Sequence, residues 1–207
     1  NGFGTEHFSA ADRRVRSIVI TALLAALTCA ATMVIRIPSP TGGYLNLGDT
    51  VVLLGAFLLG PWAGALAGGI GSAMADALAG YVVYVPATLV IKAVMALAAG
   101  FLYRLLRDRT GGMLFAALVG EIPMAVGYWL FDAWLLHSWT GAAAGIPGNL
   151  VQAIFGVAVS VFLAAALRKS GFVPRLCFRS SVQCDSLNIL IFCLYYLKDA
   201  LAAFNFM

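Results

Sequence analysis

Six apolar runs, at about 15–37, 49–60, 62–80, 86–105, 113–136 and 147–167, take up most of the chain, and the segments between them carry Gly, Pro or charge. The hydrocarbon core of a bilayer is about 30 Å thick and takes about 20 apolar helical residues to cross. Open strands cannot satisfy their backbone N–H and C=O groups in lipid, so repeated runs of this length restrict the chain to a helical bundle in a membrane. Composition agrees. Of 207 residues, 62% are hydrophobic and 11% charged, with a mean hydropathy of +0.94, against about 25% charged in soluble domains. The reading is an all-α integral membrane protein with one membrane domain over 15–168, a cytoplasmic segment over 1–14 and an atypical tail over 169–207.

The net charge of +4 is not a nucleic-acid footprint, because ten of the thirteen Lys and Arg stand in three clusters beside apolar runs: Arg13/Arg14/Arg16, Arg104/Arg107/Arg109 and Arg168/Lys169/Arg175/Arg179. Such clusters mark the cytoplasmic side. The run 49–60 rises only about 18 Å as a helix, so 49–80 crosses once or twice. Two crossings put all three clusters inside, and Pro61 after Gly60 gives a reason for the break. The expectation is six transmembrane helices, both ends of the domain inside, and outer connections at 38–48, 81–85 and 137–146. The run after Arg16 is longer than a signal-peptide core and reads as a retained first helix. Cys29, Cys177, Cys184 and Cys193 form no CxxC pair, so neither a metal site nor a disulfide framework is expected. In the tail Ala and Gly nearly vanish, and "SLNILIFCLYYLKDALAAF" reads as an interfacial helix, a seventh span or text from a shifted reading frame.

An intramembrane charge costs about 2.5–3.5 kcal/mol on insertion scales and needs a partner or a purpose. Asp76, Lys92, Glu121 and Asp132 are four such residues. Glu121, Tyr128 and Asp132 are spaced by seven and four, which places them on one face of the fifth helix, toward the bundle interior. The plainer alternative is structural pairing, with Lys92 bound to Asp76 or Asp132. Asn149 and Gln152 stand three apart at the outer end of the sixth helix and share a face; Asn149 and Asp49 serve equally well as helix caps. Ala22, Ala26 and Ala30 on the first helix, and Gly64, Gly68 and Ser72 on the third, repeat at the four-residue spacing that lets helices approach closely. With only His7 and His137, and no HExxH, GxSxG or phosphate loop, neither a zinc protease nor a serine hydrolase nor a nucleotide-binding unit is supported.

The segments "GGYLNLGD", "GIGSAMAD", "PATLVIK" and "IPGNLVQ" together resemble the substrate-binding S component of an energy-coupling factor (ECF) vitamin transporter, and are most similar to the riboflavin-type family over about 15–168. The resemblance implies a six-helix membrane protein that binds a small water-soluble vitamin or precursor from outside, of the thiamine-pyrimidine, pyridoxine or riboflavin class. It also implies a prokaryotic plasma membrane and partners: a transmembrane coupling subunit and two ATPases. No cofactor or metal is expected. The first outer loop becomes a lid over the ligand, with Gly43, Tyr44, Asn46 and Gly48. Asp76, Tyr84, Lys92, Tyr128, Asn149 and Gln152 complete the expected substrate site, while the alanine motif that meets the coupling subunit falls on Ala22 and Ala26. Asp132 is a departure, at a position where relatives often carry Glu. Asp49, Glu121 and Asp132 are left between ligand contact and helix stabilisation. Competing readings are an autonomous proton-coupled transporter using Glu121 and Asp132, and an intramembrane enzyme.

Overall fold

Helix α1 (Ala10–Val34) leads into a short antiparallel ribbon, β1 (Arg36–Pro38) and β2 (Tyr44–Asn46), with Arg36 opposite Asn46 and Pro38 opposite Tyr44. Then follow α2 (Gly48–Leu59), α3 (Pro61–Leu78), a single 3-10 turn (Val82–Tyr84), α4 (Val85–Leu106), α5 (Gly112–Leu136), the short α6 (Trp139–Ala143) and α7 (Ile146–Lys169). The computed structural model describes residues 10–169. The tail, with its three alternative readings, lies outside the described residues, as do His7, Cys177, Cys184 and Cys193.

The chain is mostly helical, and a helix stands on each of the six apolar runs. Two of the outer connections carry structure of their own. The first outer connection pairs with itself as a ribbon, because Ser39 N–H donates to the Gly43 carbonyl at 2.9 Å and closes a hairpin that Pro38 and Pro40 cannot continue as helix. In the third, Ser138 caps α6 by accepting the Gly141 N–H at 3.0 Å.

Among the described residues, four segments are long and apolar enough to cross a membrane, in α1, α4, α5 and α6–α7, and only 22% to 33% of each best window is buried. The rest, with residues such as Leu23, Leu105 and Phe162, faces outward as lipid-compatible surface. Helix α2 is the reverse case. It is twelve residues long and buried from Gly48 through Phe57, as befits a helix that is apolar on all sides. It ends at Gly60, whose φ of +88° favours glycine, and Pro61 opens α3 at its first helical position. The chain therefore reverses without a loop, and α3 packs back along α2.

Small residues permit that reversal. A Cβ at Gly64 would stand 2.7 Å from the Ala56 backbone, one at Gly68 2.8 Å from Val52, and one at Gly71 would overlap the Ala25 carbonyl of α1. The small face of α3 is thus filled from within the chain by α2 and α1. Ala22 and Ala26 on α1 are exposed instead.

The bundle has two chemically distinct ends. At one, the Arg104 guanidinium lies beside Gly60 and that of Arg168 sits 5.1 Å from the Tyr103 ring centre. The ribbon, the 3-10 turn and the start of α7 meet at the other: Gly145 abuts Thr41, and Gly148 abuts Leu45.

Candidate functional site

Under the ribbon lies a cavity whose walls come from six parts of the chain. The hairpin contributes Thr41, Gly43, Tyr44 and Asn46; α3 contributes Asp76; Tyr84 comes from the 3-10 turn and Thr88 from the start of α4; Tyr128 and Asp132 come from α5; Asn149 and Gln152 come from α7. Each position follows from local structure. Tyr44 and Asn46 alternate along β2 and so share one face of it. Tyr128 and Asp132, like Thr88 and Lys92, are four apart and stack on one helix face.

Two tyrosine–carboxylate pairs cross the cavity. The Tyr44 hydroxyl donates to Asp76 Oδ1 at 2.6 Å, and the Tyr84 hydroxyl donates to Asp132 Oδ1 at 2.9 Å while lying 3.2 Å from the Thr41 carbonyl. Burial, then the bond to Asp76, raises the Tyr44 phenol well above its ordinary pKa, so it remains a donor. Thr88 and Tyr128 share a hydroxyl–hydroxyl bond of 3.0 Å. Tyr44, Tyr81, Tyr84 and Phe131 form a chain of ring contacts with centroids 4.6 to 6.4 Å apart, which supplies flat apolar surface beside the carboxylates. The free volume between these side chains is about 30 Å³, enough for water and not for an aromatic ring.

Beneath the cavity stands a second polar layer. The Lys92 ammonium pairs with Asp49 Oδ1, both side chains being 1% exposed, and Gln152 Nε2 donates to Asp49 Oδ2 at 2.6 Å. The Lys92 nitrogen also lies 5.3 Å from the Tyr128 ring centre. Gln152 turns its carbonyl oxygen the other way and accepts the Asn46 N–H at 2.8 Å. One amide thus ties the lid strand to the buried ion pair. Glu121 is also buried, and neither of its oxygens has a hydrogen-bond partner among the described residues.

Seven of the nine residues expected in the site line the cavity: Tyr44, Asn46, Asp76, Tyr84, Tyr128, Asn149 and Gln152. Lys92 and Gly48 do not. Lys92 is committed to Asp49 rather than to Asp76 or Asp132, because α2 brings Asp49 against α4 in the core. Gly48 is a close-packing position, its N–H bound to Asn46 Oδ1 at 2.8 Å and its Cα against Thr32. Neither Asp49 nor Asn149 caps its helix. Leu47 occupies the cap position of α2, and α7 begins three residues before Asn149, at Ile146.

Ser39, Thr41 and Thr88 line the cavity without having been singled out. Thr88 carried a signal, standing one turn before Lys92 on the same face. Ser39 and Thr41 carried none, since loop hydroxyls are common and only the hairpin's closure aims them. Asp132, left open by the sequence, faces the cavity; Glu121, two turns and more away on the same stripe, does not.

Residues 13–169 match the family model of the ECF-type riboflavin transporter, S component. An uncharacterized protein in gap 3'region of Pyrococcus woesei is 38% identical over 139 residues, 67% of this chain and 92% of that protein. The thiamine precursor transporter HmpT of Lactococcus lactis subsp. cremoris (strain MG1363) is 27% identical over 164 residues, 78% of this chain and 93% of that protein. A solved structure of the S component of a bacterial ECF transporter shares the fold, with a TM-score of 0.63 at 20% identity, over 75% of this chain and 97% of that one.

Proposed function

The chain belongs to the ECF-type riboflavin transporter S component family, and from that premise we propose that it is a membrane-embedded, high-affinity binding subunit for one small water-soluble vitamin or precursor. It is a multi-pass protein of a prokaryotic plasma membrane, and its family and structural neighbour are transporter S components rather than enzymes. The observation that carries the reading is the cavity under the ribbon. Rings and a few convergent polar groups are what a small planar polar molecule needs, and they lie at the end of the bundle away from the arginines.

The finer assignments follow from the same picture. The domain crosses the membrane six times, α2 and α3 doing so as a broken pair inside the bundle, with the arginine end cytoplasmic. The ribbon then lies outside, as a lid. The ligand is the pyrimidine precursor of thiamine, pyridoxine or riboflavin, the first two being favoured by the small number of polar groups in the cavity and the first by the relative HmpT. Tyr44, Asn46, Asp76, Tyr84, Tyr128, Asn149 and Gln152 bind it. Lys92 and Gly48 act from behind, by holding α2 and the lid in register. Uptake draws its energy from an ECF module, a coupling subunit and two ATPases, that docks on the exposed Ala22/Ala26 face of α1.

Purified protein tests the reading. Native mass spectrometry is expected to find a co-purified vitamin, and calorimetry to find tight binding without turnover. Proteoliposomes are expected to take the vitamin up only with the coupling module and ATP; uptake driven by a proton gradient alone would sink the proposal.

A further inference from the structure

The ionisable side chains that line the cavity are two carboxylic acids, Asp76 and Asp132, and three phenols, Tyr44, Tyr84 and Tyr128; among the described residues no Lys, Arg or His lines it. The nearest buried cation, Lys92, is bound to Asp49 in the layer below. Arg36 stands on the exposed strand β1, outside the lining. Each lining carboxylate holds a single tyrosine hydroxyl, Asp76 that of Tyr44 and Asp132 that of Tyr84. Both tyrosines belong to the parts that cover the cavity, the ribbon and the turn before α4.

This arrangement constrains what can enter. The free volume of about 30 Å³ is far below the roughly 300 Å³ of the smaller ligand pockets, so a heteroaromatic ring enters only if the two phenols move aside. Their departure leaves Asp76 with Thr88 and Asp132 with Thr41 as remaining hydroxyl partners, and the acceptor sites that each tyrosine vacates are costly to leave unpaired. The incoming molecule must therefore bring donors of its own. A phosphate inside the cavity would meet two carboxylates and no cation in the lining, with Arg36 acting only from the rim beside Tyr44, and such a like-charge juxtaposition is unfavourable.

Resting on the vitamin-binding reading above, we propose that this site selects an uncharged or cationic heteroaromatic molecule whose amino, hydroxyl or ring N–H donors replace the Tyr44 and Tyr84 hydroxyls on Asp76 and Asp132, and that it rejects phosphate esters. The site is thus a filter for the free, unphosphorylated form of its ligand.

The test is calorimetry on the purified full chain in detergent with three pairs of probes: the aminopyrimidine precursor of thiamine, pyridoxine and riboflavin, each against its own phosphate ester. At least one parent compound is expected to bind, with its ester at least about 100-fold weaker. For that parent, Asp76→Asn and Asp132→Asn are each expected to lose about 10- to 100-fold in affinity. An ester bound as tightly as its parent overturns the filter and leaves the vitamin-binding reading standing, and this comparison needs no variant to fold. Unchanged affinity in both Asn variants overturns the role of the carboxylates. Failure of every parent and every ester to bind overturns both readings together.

Discussion

Lys92 and Glu121 are two buried ionisable side chains near Asp49, and only Lys92 has a hydrogen-bond partner there. Lys92 meets Asp49, Asp49 receives a further bond from Gln152, and the Tyr128 ring covers the ammonium. Removing one partner of such a pair strands the other and costs about 3–5 kcal/mol, whereas neutralising both costs little. Lys92→Met and Asp49→Asn are each expected to lower the unfolding midpoint in detergent sharply, and the double variant to recover most of the loss. Simple additivity in that double-mutant cycle would show that the two residues are not coupled. Glu121 offers no such loss: its oxygens have no hydrogen-bond partner among the described residues, and a buried polar group without one is unfavourable. Glu121→Gln keeps the shape without an ionisable group and breaks no hydrogen bond, so the midpoint is expected to hold or rise. A fall equivalent to more than about 1 kcal/mol would mean that Glu121 makes a bond worth keeping.

At the scale of the element, α2 and α3 explain one another. Helix α2 is too short to span a bilayer alone, and it lies inside the bundle because α3 reverses at Gly60–Pro61 and presents glycine to it. Gly64→Val would drive a branched side chain into the Ala56 backbone, 2.7 Å from where its Cβ begins. Overpacking of this kind costs about 1–3 kcal/mol or more, and because α2 carries Asp49, ligand affinity is expected to fall with stability. Unchanged stability and affinity in this variant would refute the tight α2–α3 seam. Exposed small residues behave differently. Leu at Ala22 and Ala26 adds bulk to a face that no described residue covers, so ligand affinity is expected to persist while pull-down of the coupling subunit fails. Normal complex formation would remove this face from the interface.

The described bundle is polarised end to end, with the Arg104 and Arg168 cluster at one pole and the Arg36-bearing ribbon, the cavity tyrosines and the carboxylates at the other. The charge rule for membrane proteins assigns the arginine pole to the cytoplasm. A membrane-impermeant maleimide added to intact cells should therefore label a cysteine placed at Pro40 and not one placed at Thr110, after the native cysteines are replaced. The reverse pattern would invert the orientation. Lys92–Asp49, with its Gln152 link to Asn46, lies between the two poles.

Much of this architecture was legible in the sequence. Apolar run length, the position of Pro and Gly, and the arginine clusters are local properties, and they determined the membrane class, the helices and the break at Gly60. Residue spacing along a helix is local too, which is why the Glu121–Tyr128–Asp132 stripe and the Asn149–Gln152 pair turned inward as expected. Only the tertiary structure decided which charge meets which. Asp49 and Lys92 are 43 residues apart, and Asn46 and Gln152 are 106 apart; such partners depend on how α2 docks between its neighbours, and no periodicity encodes that. For the same reason the sequence left Asp49 open between ligand contact and helix stabilisation and offered Lys92 the wrong pairing partners, whereas packing joined the two beneath the cavity and left Asp76 and Asp132 to face it.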